Sequence, residues 1–125
     1  MIIAGFGFRR NAEVASFQTA LAAAIDAAGI PVPTAFATAI DKAGFAAFCA
    51  FAEAAGLVIH AVSLEHIAAQ TGAALGSRAP ARYGNRSLAE AAALVAAGPG
   101  ARLLARRRVS PDGRATCAIA KGGMP

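Results

Sequence analysis

The 125-residue chain reads as an α/β protein: a three-layer α/β/α sandwich with a mixed, largely parallel sheet and a C-terminal β-hairpin. Three observations predict it. Short apolar or β-rich runs alternate with stretches of helical period through the first half, as in βαβ crossovers whose parallel strands are covered on both faces. Glycines and prolines punctuate the junctions, as in "AAGIPVP" and "EAAGL". The C-terminal part then breaks the alternation with two strand-like runs around "SPDG", a turn sequence. The length suits one domain, residues 1–125.

Ile2 to Phe6 is an apolar run ending among glycines, which predicts a buried strand. Asn11 is the expected N-cap of the helix that follows, with Glu13 in its first turn. Val14, Phe17, Leu21, Ala24, Ile25 and Ala28 fall on one helical face. Gly29 closes the helix, and Pro31 and Pro33 prevent a restart. A second strand is expected over Thr34 to Thr38, and a second helix over residues 41–55, ended by Gly56. A third strand follows over Leu57 to Val62, then a short helix capped by Ser63. Residues 70–86, "QTGAALGSRAPARYGNR", have no convincing period and are expected to form a mobile flap carrying Arg78, Arg82 and Arg86 beside Tyr83. Ser87 and Glu90 then form an S-x-x-E capping box on a helix that Gly98 ends. In the terminal hairpin, Leu103, Leu104, Cys117 and Ile119 are expected to face inward, and the last residues to fray.

Twelve Arg and Lys residues against seven Asp and Glu give a net charge of +5, which favours acidic ligands or partners. The basic residues cluster at 9–10, 78–86 and 102–114. An aromatic platform or a recognised nucleic-acid module is lacking, so nucleic acid is not an expected partner. Cys49 and Cys117 have neither CxxC spacing nor histidine companions, so they read as small apolar residues, and no metal site is expected. No secretory leader or stretch long enough to span a bilayer is evident, and a cytoplasmic protein with no membrane partner is expected.

"GFGFRR" raises the first functional question. A dinucleotide fingerprint would need glycine where Arg10 stands. Turn chemistry explains Gly5 and Gly7, as glycines adopting conformations closed to other residues. It does not explain Arg9 and Arg10 at the carboxyl end of a first parallel strand, where open α/β sheets bind ligands. Backbone amides at a helix start favour an anion, and the guanidinium fork suits a carboxylate. "TAIDKAG" holds the equivalent place after the second strand. Thr38 and Asp41 can cap a helix there, but Lys42 in a first turn opposes the helix dipole and calls for another role. Glu90 has a sufficient role in its capping box, and His60 and His66 lack a catalytic companion in sequence.

Four segments in succession, "AGFGFRRNAEVASFQTAL", "ATAIDKAGFAAFCAFAEAAG", "YGNRSLAEAAALVAAG" and "RLLARRRVSPDGRATCAIAK", resemble the CobE / CbiG C-terminal-domain family of cobalamin biosynthesis. The resemblance covers essentially the whole chain and is to the stand-alone CobE form. It carries the family's first glycine turn onto Gly5, Gly7 and Arg9, its second segment onto Thr38, Asp41 and Lys42, and its third onto Gly84, Ser87, Glu90 and Ala91 to Leu94. Phe8 stands where many CbiG-type members have cysteine, which argues against thiol chemistry. The resemblance implies a part in corrin-ring synthesis. CbiG-type proteins open a lactone on a cobalt-precorrin and release a two-carbon fragment, whereas CobE-type proteins take part in the aerobic route.

Corrin intermediates are partly apolar macrocycles rimmed by carboxylates. A cleft of Gly5, Gly7, Arg9, Arg10, Thr38, Asp41, Lys42, Tyr83, Gly84, Ser87 and Glu90 is therefore the expected ligand site, for a precorrin or corrinoid intermediate and with no cofactor of its own. Other corrin-pathway enzymes are candidate partners. Two functions follow: binding or carrying the intermediate, or hydrolase/lyase action on a precorrin lactone. The lack of a nucleophile–base pair in the sequence favours the first.

Overall fold

The computed structural model describes residues 1–30, 32–71 and 87–123. The expected flap, with Tyr83 and Gly84, lies outside them. Five strands form one sheet in the order β3-β2-β1-β5-β4: β1 (Ile2–Phe8), β2 (Ala35–Ala39), β3 (Ile59–Val62), β4 (Arg102–Val109) and β5 (Ala115–Lys121). The β1–β2 and β2–β3 pairs are parallel, and β5 runs antiparallel to both β1 and β4. Four strands thus share one direction and β5 alone opposes them, so the sheet is mixed, with β4 and β5 as the terminal hairpin.

Helices α1 (Val14–Ala28) and α2 (Ala46–Ala55) cover one face. Helices α3 (Leu64–Thr71) and α4 (Leu88–Ala97) cover the other. Strand alternation separates the two faces. Ala4, Phe6 and Phe36 face α1 and α2, where Phe17, Phe48 and Phe51 join them in an aromatic cluster. The Phe6 ring lies 5.3–6.0 Å from Phe17, Phe36, Phe48 and Phe51. Ile3, Ala35 and Ala37 face the other way and pack with Ile67, Leu88 and the alanines of α4. Cys117 and Ile119 are fully buried, as expected, while Leu103 and Leu104 are half-buried.

Several sequence expectations are corrected here. Strand β1 continues through "GFGF" to Phe8, so Gly5 and Gly7 are strand residues, and neither has the positive φ that other residues avoid. They are small because α4 lies on them: a Cβ on Gly5 would sit 2.2 Å from the Ala89 carbonyl oxygen and 2.6 Å from the Ala93 nitrogen. The α1 cap is Glu13, not Asn11, and its backbone N–H donates to Ser16 Oγ at 3.0 Å. Helix α2 begins at Ala46 behind Phe45 rather than at residue 41, because residues 40–44 form turns closed by Lys42 N to Ala39 O and Phe45 N to Lys42 O. Gly29 and Gly56 end their helices in the left-handed conformation, with φ of 71° and 73°. Among the described residues, no helix is long and apolar enough to cross a membrane.

Candidate functional site

The shared strand direction sends β1, β2, β3 and β4 to one carboxyl edge. Arg9 and Arg10 follow β1, residues 40–44 follow β2, and Ser110 to Arg114 turn the hairpin beside them. Two contacts fix this arrangement. The Arg9 N–H donates to the Arg114 carbonyl at 2.9 Å. The Lys42 ammonium donates to the Phe8 carbonyl at 2.8 Å, with the Phe8 ring centre 4.9 Å away.

Arg9 and Arg10 are exposed and Lys42 is half-buried. All seven Asp and Glu side chains belong to described residues, and none forms an ion pair with these three cations. Glu13 is instead 3.6 Å from Arg114. Asp112 is held within the hairpin turn. It accepts from Ser16 Oγ at 2.6 Å, Ser110 Oγ at 2.5 Å and the Arg114 N–H at 2.9 Å. These bonds, led by those from Ser110 and Ser16, hold its carboxyl at about 2, below its usual value of 3.8. The edge thus presents Arg9, Arg10 and Lys42 without a partner carboxylate, while Asp41 is exposed nearby in sequence.

The other expected site residues divide. Thr38 is fully buried in β2, and its hydroxyl donates to the Phe6 carbonyl at 2.8 Å, so it presents no surface to a ligand and caps no helix. Gly5 and Gly7 are buried beneath α4, Gly7 beside Leu88 and Thr116. The capping box is present: Ser87 Oγ accepts from the Glu90 N–H at 3.1 Å. Leu88 next to Gly7 brings the start of α4 to the same carboxyl edge, on the opposite face from α1.

Glu90 does more than cap. Its Oε2 accepts from the Arg107 N–H at 3.0 Å, where β4 slips register against β5 between Ala105 and Arg108. The bulge leaves an amide without a ladder partner, and the helix supplies one. Sequence reasoning reached neither this bond nor the Ser16–Asp112 pair, whose partners are 96 residues apart. An S-x-x-[AS] pattern cannot signal a contact set by tertiary packing. Lys42 was reached as a cation at the edge, but its half-burial on Phe8 was not: it sits in a turn that binds two strand ends, not in a helix.

The same architecture occurs in known proteins. The model of the family described as "Cobalamin synthesis G C-terminus" matches residues 2–120. Cobalamin biosynthesis protein chiG from Agrobacterium tumefaciens str. C58 has a solved structure similar to this one, with 35% identity, a TM-score of 0.78, and 99% of this chain covering 100% of that one. CobE, a protein from the cobalamin biosynthetic pathway, is similar at 27% identity and a TM-score of 0.78, over 96% of this chain and 89% of that one. A cobalamin biosynthesis protein G homolog from Sulfolobus solfataricus shares the fold at 16% identity and a TM-score of 0.68, with 99% of this chain spanning 37% of that one. No curated protein matches the chain. With the family match running from the first strand to the last, the chain belongs to the cobalamin synthesis G C-terminus family.

Proposed function

We propose that this protein takes part in cobalamin biosynthesis by binding or carrying a polyanionic precorrin or corrinoid intermediate at the carboxyl edge of its sheet. Family membership and the two solved relatives above 25% identity support the pathway. The observation that carries the binding reading is the Lys42–Phe8 contact, which sets the cation after β2 against the last residue of β1 and so beside Arg9. Arg9, Arg10 and Lys42 lack internal carboxylate partners, and a macrocycle rimmed with carboxylates would supply them. Arginine offers a planar pair of donors and lysine a point charge, so the two together grip separate acid groups. Phe8 and Phe45, half-buried and 5.2 Å apart, give an apolar surface beside the cations.

The test is a titration with a purified late corrinoid intermediate at low and high salt. Arg9→Ala and Lys42→Met should each weaken binding by about tenfold to a hundredfold, the worth of one charge-assisted hydrogen bond. Salt should weaken binding by the wild type more than by the double variant. Unchanged affinity in all variants, with folding verified by circular dichroism, would place the ligand elsewhere. A change in ligand mass on incubation would instead favour the hydrolase or lyase reading.

A further inference from the structure

A second anion site lies on the opposite flank, and it does not depend on the reading of the Arg9–Lys42 edge. An open groove of ≈ 530 Å³ runs between α3, α4 and β4, lined by Gln70, Leu94, Ala101, Arg102, Leu103 and Arg106, with Leu104 behind. Its volume is within the roughly 300–1,000 Å³ of small-molecule sites. Leu94, 5% exposed, and half-buried Leu103 belong to the apolar layer beneath α4 and floor the groove. Arg102 and Arg106 are exposed on its wall.

An irregularity in the strand makes this wall. Regular alternation from Leu103 would turn Arg106 toward α1. The register slips by one residue between Leu103 and Ala105, and Leu104 and Ala105 both pack on the α1 side. Arg106 is therefore re-aimed to the α4 side, above Leu103. The second slip, between Ala105 and Arg108, is held by Glu90 on the Arg107 amide. Arg102 pairs with Lys121, which pairs with Ile2 at the start of β1. At about 3.3 Å per residue, this end of the groove is roughly 20 Å from the carboxyl edge.

None of the seven acidic side chains, all of them in described residues, forms an ion pair with Arg102 or Arg106. Two cations over an apolar floor select a ligand that is apolar in its body and anionic at its margin. We infer that this groove binds an amphipathic organic acid, its apolar body on Leu94 and Leu103 and its acid group between Arg102 and Arg106.

Anilinonaphthalene sulfonate is a suitable probe, having an aromatic body and one acid group. Titrating it into the native protein should shift the NMR signals of the Leu94 and Leu103 methyls and the Arg106 amide. The Arg102→Gln/Arg106→Gln variant, with its fold verified by circular dichroism, should bind about tenfold or more weakly. Leu94→Met, which keeps the floor apolar, should bind nearly as the wild type does. Three results would each overturn the inference: no binding up to about 1 mM, shifts confined to residues outside the groove, or equal affinity in the double arginine variant.

Discussion

The Lys42 ammonium bonds the Phe8 carbonyl at 2.8 Å and lies 4.9 Å from the centre of the Phe8 ring, so one side chain from the β2 turn closes over the end of β1. A cation serving only a ligand would contribute little to the free protein; this one ties two strand ends together. Hydrogen bonds to charged groups contribute about 1.5–3 kcal/mol and exposed cation–π contacts about 0.5–1 kcal/mol. Half-exposure reduces both, and Lys42→Met is expected to cost about 1–2 kcal/mol in urea unfolding. A loss below about 0.5 kcal/mol, the range of ordinary surface changes, would show the contact to be incidental.

Gly5 and Gly7 should differ sharply in their tolerance of a methyl group. At Gly5 the added Cβ would meet backbone atoms of α4 at 2.2 and 2.6 Å, which cannot rotate away. At Gly7 the contacts are Thr116 Oγ1 at 3.1 Å and the Leu88 side chain from 3.4 Å, and both can give. Gly5→Ala should cost about 3 kcal/mol or more, because the whole helix must lift, and Gly7→Ala about 1 kcal/mol. Thermal unfolding of the two variants measures the difference; equal midpoints would mean that α4 is not seated on β1 as described.

Asp112 sets an acid limit. Its carboxyl titrates at about 2 in the folded chain against 3.8 ordinarily. A depressed folded value means that the ionised form stabilises the fold. That contribution is complete above about pH 4 and is lost as pH falls through about 2. Asp112→Asn should be less stable at neutral pH and should lose less on acidification than the wild type. Parallel acid unfolding curves for the two proteins would count against the Ser16–Asp112–Ser110 linkage.

The two thiols should separate by reactivity. Cys49 is exposed on α2, whereas Cys117 is fully buried in β5 and burial pushes its thiol pKa up. A thiol reagent should modify Cys49 in the native protein and reach Cys117 only on unfolding. Rapid native modification of Cys117, followed by mass spectrometry of peptides, would show that β5 opens readily.

What the sequence makes legible is what neighbouring residues decide among themselves. The Ser87–Glu90 capping box, the helix ends at Gly29 and Gly56 and the "SPDG" turn are all local, and each stands where the sequence places it. The cations of the carboxyl edge are legible too, because parallel topology alone gathers strand ends. Gly5 misleads, since its reason is a helix more than 80 residues further along the chain. Asp41 misleads for a related reason: an acidic residue before an alanine-rich stretch signals a cap, yet the turn hydrogen bonds at Lys42 and Phe45 delay the helix to Ala46. The aim of Arg106 is set by a bulge that no residue pattern announces.

The seating of α4 on the glycines of β1 also bears on entropy. Six residues of that helix are buried, four of them alanine, and they face glycine and alanine on the sheet. Neither residue type has rotamers to freeze, whereas a buried leucine or isoleucine loses about 0.5–1 kcal/mol of side-chain freedom. The α4 layer therefore orders mainly backbone, while the phenylalanine layer across the sheet supplies most of the apolar bulk. The two faces of one sheet thus reach stability by opposite routes, one by burying much and the other by immobilising little.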